Sequence, residues 1–132
     1  MNIVIDTSVL IAVLTGEPEK QKLINLTKGV DLLAPASVHW EVGNALAAML
    51  KRKKITSNQI PFVLQAYGRI PIRFIDIDLA ASLQIAAEYE LYAYDAYVIT
   101  CARESRCRLI SLDKALCLAA LKARVAVLEV SL

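Results

Sequence analysis

The chain has a single histidine, three cysteines and no long apolar run, and each shortage excludes something. His39 is the only imidazole, and Cys101, Cys107 and Cys117 show no C-x-x-C spacing, so a zinc site of thiolate and imidazole ligands lacks its parts. An odd number of cysteines, two of them in apolar helical contexts, reads as reduced thiols. The apolar run nearest the start, residues 9–14, is six residues long, where a bilayer span needs about 20. No basic segment precedes it and Asp6 interrupts what would be the apolar core of a signal peptide, so the start does not read as one. A cytoplasmic protein without membrane association is expected. Charge excess is also missing: the net charge of +2 says little about partners. No repeat, low-complexity tract or Pro/Gly/Ser linker divides the chain, and 1–132 reads as one domain.

What is abundant is apolar mass. Hydrophobic residues make up 57% of the 132 positions and charged ones 21%. A parallel sheet covered on both faces needs such a core, and a partner covering part of the surface has the same signature. Both are expected.

Short β-branched runs alternate with longer helical patterns. Strands are expected at 3–5, 31–34, 72–75, 108–111 and 125–130. A short apolar helix follows Asp6, and a polar-faced one begins near Pro18 and ends by Gly29. Ser37 is the expected N-cap of a long helix reaching the basic run 51–54. Thr56 and Gln59 form a capping-box pattern, with Pro61 in the first turn behind it. Asp78 caps a helix from Leu79 to about Glu90, Tyr94 or Asp95 begins another reaching Glu104, and Asp113 starts the last. Strands separated by helices make an α/β fold, with a parallel β-sheet flanked by helices on both faces.

In such a sheet ligands bind beyond the carboxyl ends of the strands. Asp6 follows the first strand and Asp113 the fourth. Glu41 lies one turn inside the helix after the second strand, on the face of Ala45 and Ala48. Asp95 shares a face with Ile99 and Ala102. Four acids remote in sequence thus converge on one sheet edge. Together they repel one another, and a divalent cation removes the repulsion. All-oxygen ligands favour Mg²⁺ or Mn²⁺, and the chemistry such an ion supports is phosphodiester hydrolysis.

Each acid also has an ordinary role open to it. Asp6, Asp95 and Asp113 can serve as helix N-caps; Glu41, a full turn inside its helix, has no such role. Asp76 and Asp78 are assigned to a strand-end turn and a cap. Lys51, Arg52, Lys53 and Lys54 are candidate RNA-phosphate contacts, as are Arg103 and Arg106, yet cations at helix C-termini need no ligand to explain them. Trp40 reads as a packing residue, and Tyr92, Tyr94 and Tyr97 as core or interface.

The D-T-S at 6–8, E-V-G-N at 41–44, Y-D-A at 94–96 and L-I-S-L-D at 109–113 together resemble the PIN-domain nucleases. In length the chain looks most like the VapC toxins of toxin–antitoxin pairs. The resemblance spans essentially the whole chain. It implies a sheet order of 3-2-1-4-5, with Asp6, Glu41, Asp95 and Asp113 as the catalytic, metal-binding quartet. It further implies supporting polar positions at Thr7, Ser8, Asn44 and Ser111. The implied activity is Mg²⁺- or Mn²⁺-dependent cleavage of RNA to a 5′-phosphate and a 3′-hydroxyl, by a homodimer held in check by a small antitoxin. Two rivals remain: a PIN-type nuclease of RNA maturation or structured DNA without an antitoxin, and a non-catalytic binding module whose acids hold a cation. A receiver-like phosphoacceptor domain wants an acidic pair after the first strand and a lysine after the last, and finds neither.

Overall fold

Strand β1 (Asn2–Ile5) takes the middle of the sheet because it is apolar on both faces: Ile3, Val4 and Ile5 are all buried. In the computed structural model, which describes residues 1–130, it pairs with β2 (Asp31–Pro35) on one side and β4 (Arg108–Ile110) on the other. Strand β3 (Ile72–Ile75) adds beside β2, with Arg73 and Phe74 exposed as suits an edge. All pairings are parallel and the order is β3-β2-β1-β4. Every strand therefore starts at one edge of the sheet and delivers its carboxyl end to the other.

The fifth expected strand, 125–130, shrinks to one parallel bridge, Leu109↔Val127. Leu109 N–H donates to Ala126 O at 3.0 Å and Leu128 N–H to Leu109 O at 2.8 Å. The segment lies beside β4, where the order 3-2-1-4-5 places a fifth strand. β4 is three residues long and offers only Leu109 for pairing on its free side.

Helices α2 (Lys20–Leu26), α3 (Ser37–Lys51) and α4 (Ile60–Gly68) pack around α1 (Thr7–Leu14). Helix α5 (Leu79–Tyr89) packs on α6 (Ala93–Ser105), which lies against β1, β2 and β4; α7 (Lys114–Lys122) packs on β4. Helices thus flank both faces of the sheet. The caps foreseen at Asp78 and Asp113 form: Ala81 N–H donates to Asp78 Oδ2 at 3.0 Å, and Ala115 N–H to Asp113 Oδ1 at 3.0 Å. Thr56 N–H likewise donates to Gln59 Oε1 at 2.8 Å ahead of α4.

Two helix starts differ from expectation. Ala36, not Ser37, occupies the N-cap of α3, which leaves the Ser37 hydroxyl buried inside the first turn. Helix α6 begins at Ala93 with Tyr92 as its N-cap, so Asp95 lies within the first turn and caps nothing. Neither Ala36 nor Tyr92 carries a capping side chain, which is why the sequence did not mark them.

The core is continuous through α6, where Val98 to Ala102 are buried without a break. Cys101 is among them, and all three cysteines are free thiols. Apolar surface also remains outside: Trp40 is 76% exposed, Phe62 73% and Tyr92 87%. Trp40 is therefore not packed in the core, contrary to its sequence reading, and of the two readings of Tyr92 the core one is excluded. No helix among the described residues is long and apolar enough to cross a membrane.

Candidate active site

Asp6 ends β1 with an extended backbone and stands at the N-cap of α1, yet its side chain makes no capping bond. The residue is 7% exposed and its carboxylate is held by hydroxyl groups. Oδ2 accepts from Ser8 Oγ at 2.7 Å and from Ser111 Oγ at 2.8 Å, and the two hydroxyls lie 3.3 Å apart. Each serine is used again: Leu112 N–H donates to Ser8 Oγ and Asp113 N–H to Ser111 Oγ, both at 3.0 Å. The ends of β1 and β4 are thereby tied through side chains as well as through Asp6 N–H to Ile110 O at 3.1 Å. Capping is excluded as the role of the Asp6 carboxylate.

Asp113 is a true cap, with Oδ1 accepting from Ala115 N–H at 3.0 Å and Leu116 N–H at 3.2 Å. Glu41 is the opposite case. It sits one turn inside α3, half-buried, and its Oε2 is buried with no hydrogen-bond partner. Its pKa is pushed up to about 7, first by burial and then by the negative charges of Asp6 and Asp95. Asp95 is raised in the same way, by burial first, then by Asp113 and Asp6. Glu41 thus feels Asp6 and Asp95, and Asp95 feels Asp113 and Asp6, so the fold does bring the four to one end of the sheet.

It does not draw them into a finished cage. Among the described residues, no group of three carboxylate, imidazole or thiol side chains is arranged to hold an ion. The physical reason lies in the bonds just described: Asp6 is pinned by two hydroxyls, and Asp113 is turned toward α7. The residues nonetheless fit a hard divalent cation. All four offer oxygen alone, and the buried, unpartnered Glu41 Oε2 is an acceptor that lacks what a cation supplies.

The supporting positions divide. Ser8 and Ser111 build the network around Asp6. Thr7 Oγ1 is buried without a partner, and Asn44 is exposed on α3. The basic residues lie elsewhere: Lys51 ends α3 about 15 Å along the helix from Glu41, and Arg103 is about 12 Å along α6 from Asp95. Arg52, Lys53 and Lys54 are exposed just past α3, and Arg106 forms the C-cap of α6. His39 is engaged away from the acids, its Nδ1 3.0 Å from Tyr67 OH and its ring stacked on Tyr67. Sequence reasoning missed Cys117, whose Sγ donates to Ser111 O at 3.6 Å. Burial raises its pKa first, and the charges of Asp6 and Asp113 raise it further. Its place one turn after Asp113 on α7 was the available signal.

Residues 3–122 match the PIN domain family. No curated protein matches the chain by sequence. Among solved structures, it is similar to FitAcB from Neisseria gonorrhoeae (TM-score 0.69, 19% identity, 96% of each chain covered). It is also similar to VapBC2 from Rickettsia felis, solved with a DNA fragment from their promoter (0.64, 14% identity, 98% of each chain). A toxin–antitoxin complex from Klebsiella pneumoniae aligns over 84% of this chain and 86% of that one, with TM-score 0.57 and 22% identity. At these identities the likeness is one of fold.

Proposed function

The chain belongs to the PIN domain family, and from that premise we propose that it is a metal-dependent endoribonuclease, the VapC-type toxin of a toxin–antitoxin pair. The observation that carries the reading is Glu41: a carboxylate with a buried, unpartnered oxygen, raised to about 7 by burial and by two neighbouring acids. A carboxylate raised by burial and by neighbouring charges marks a functional-site candidate.

In this reading Asp6, Glu41, Asp95 and Asp113 hold Mg²⁺ or Mn²⁺. When bound, such an ion lowers the pKa of a coordinated water, orients it and offsets charge on the phosphoryl oxygens. The two serine hydroxyls fix Asp6 in one orientation and leave its Oδ1 free of them. Asp113 keeps Oδ2 outside its capping bonds. Asp95 projects from the first turn of α6, and Glu41 brings the acceptor that has no other partner. Glu41, raised to about 7, must lose its proton to act as a ligand, so ion binding and proton release are linked there.

The toxin role draws on the fold shared with toxin–antitoxin proteins, and on exposed apolar side chains that a second copy and an antitoxin would cover. The protein would act in the cytoplasm, on cellular RNA. A binding module without hydrolysis is the second reading, favoured by the engagement of Asp6 and Asp113 in structural bonds. One experiment separates them: protein freed of any partner is incubated with mixed cellular RNA and Mg²⁺ or Mn²⁺, beside Asp6→Asn and Asp95→Asn preparations. Cleavage by the parent alone, stopped by chelator, is expected, with at least about a thousandfold loss in each variant. Equal cleavage by all three would mean a contaminant. Metal binding without cleavage would favour the binding module.

A further inference from the structure

At the edge where the strands begin, opposite the acids, a second charged group gathers. Arg103 in the last turn of α6, Arg106 at its C-cap, Arg108 opening β4 and Arg124 just past α7 line one shallow pocket of about 270 Å³. Cations near helix C-termini complement the helix dipole, and for one or two arginines that would be explanation enough. Two observations exceed it. Arg106 and Arg124 hold left-handed backbones, φ +52° and +63°, where glycine is the usual residue. Moreover, among the described residues none of the four guanidinium groups has a carboxylate partner. Their side-chain bonds are Arg103 Nη2 to Ala123 O and Arg108 Nη2 to Met1 Sδ, the latter at 3.4 Å. Each guanidinium carries five donors, so most of the donors around this pocket are unused.

The remaining lining is small: Ala102, Cys107, Val125 and Ala126. It offers no apolar slot for the anchoring side chain of a peptide, whereas guanidinium forks match phosphate oxygens. We propose that the arginine pocket is an exosite for the phosphate backbone of single-stranded RNA, gripping one stretch of a strand while another lies at the acids. The proposal rests on the ribonuclease reading and specifies where the substrate's charge is met. Four carboxylates at one end of the sheet repel a polyanion, and attraction at the far end of α6 offsets that.

The test uses substitutions that relieve the backbone. Arg106→Gly/Arg124→Gly places glycine at two left-handed positions, so the double variant should melt at or above the parent temperature. Both proteins carry Asp95→Asn to stop cleavage, and each is titrated with a labelled single-stranded RNA in Mg²⁺ across a salt series. The double variant should bind about tenfold more weakly at 0.15 M salt, with a log–log salt slope shallower by about 1.4. Unchanged affinity and slope would overturn the exosite while leaving the nuclease reading intact. A polyglutamate peptide that binds the parent more tightly than RNA, and is lost in the double variant, would overturn it in favour of an acidic protein partner. If the unmutated protein neither binds nor cleaves RNA, the ribonuclease reading itself falls, and the exosite with it.

Discussion

The two ends of α6 meet the same electrostatic problem in different ways. At the first turn, Asp95 stands among Asp113, Asp6 and Glu41, and burial, with this crowding behind it, raises the pKa values of Asp95 and Glu41. At the last turn and just beyond, Arg103 and Arg106 stand with Arg108 and Arg124 around a pocket. Guanidinium groups stay charged at any pH a folded protein tolerates, so their crowding cannot be relieved by titration. Carboxylates can take up protons, and here burial and repulsion together favour that. Both arrangements agree in sign with the helix dipole, but a dipole accounts for one charge at each end and not for four. The acid end is poised between proton and cation; the arginine end is fixed and open to an anion.

Disturbing the bonds that pin Asp6 should sharpen the contrast most. Ser111→Ala removes one of the two hydroxyls on its Oδ2 and should weaken metal affinity or activity by about 10- to 100-fold, read by metal titration and initial cleavage rates. The fold should persist, because the backbone bond from Asp6 N–H to Ile110 O remains.

A smaller effect concerns stability and pH. Glu41 has an ordinary value of 4.5 and a folded value of about 7. Between the two, the folded chain holds more protons than the unfolded chain, so stability falls as pH rises through that window and levels off above it. Asp95 acts in the same direction. Chelator-treated protein should therefore lose melting temperature from Glu41 between pH 4.5 and about 7, and Glu41→Gln should flatten that part of the profile. Added Mg²⁺ should restore the parent at pH 8 more than the variant. A parent profile unaltered by the substitution would show that the acid end is not crowded in solution.

The smallest expected effect lies at the arginine end. Arg103→Ala removes the bond to Ala123 O that joins the ends of α6 and α7, at a cost of about 1 kcal/mol in denaturant unfolding. A much larger loss would mean that this end is a structural clamp and not an open anion site.

Much of this was legible in the residues. Strands 1 to 4 were bounded by their apolar runs, and the acids fell at strand ends because the crossover topology puts them there. Asp113 revealed its capping role through the helical pattern behind it. Asp6 could not reveal its own: the hydroxyl that holds it on the far side is Ser111, which no local pattern connects to it. The resemblance pointed to Ser111, and the geometry supplies the reason. Helix α6 was misjudged at its start because Leu91 to Tyr94 contains no side chain that commonly caps. The last strand is shorter than its apolar run, 125–130, suggests, because the length of its neighbour decides how much pairing is available.

The tie between Asp6 and Ser111 also has a consequence in time. The two residues are 105 positions apart, and contacts of that span form late because the intervening loop must close first. A chain emerging from the ribosome has made Asp6 and Glu41 long before Ser111 and Asp113 appear, and Asp95 shortly before them. Until β4 docks beside β1, the first acid has no hydroxyl from across the sheet and the fourth acid is absent. The constellation is thus assembled by the last crossover of the fold, and a partly synthesised chain carries most of its acids without the geometry to use them.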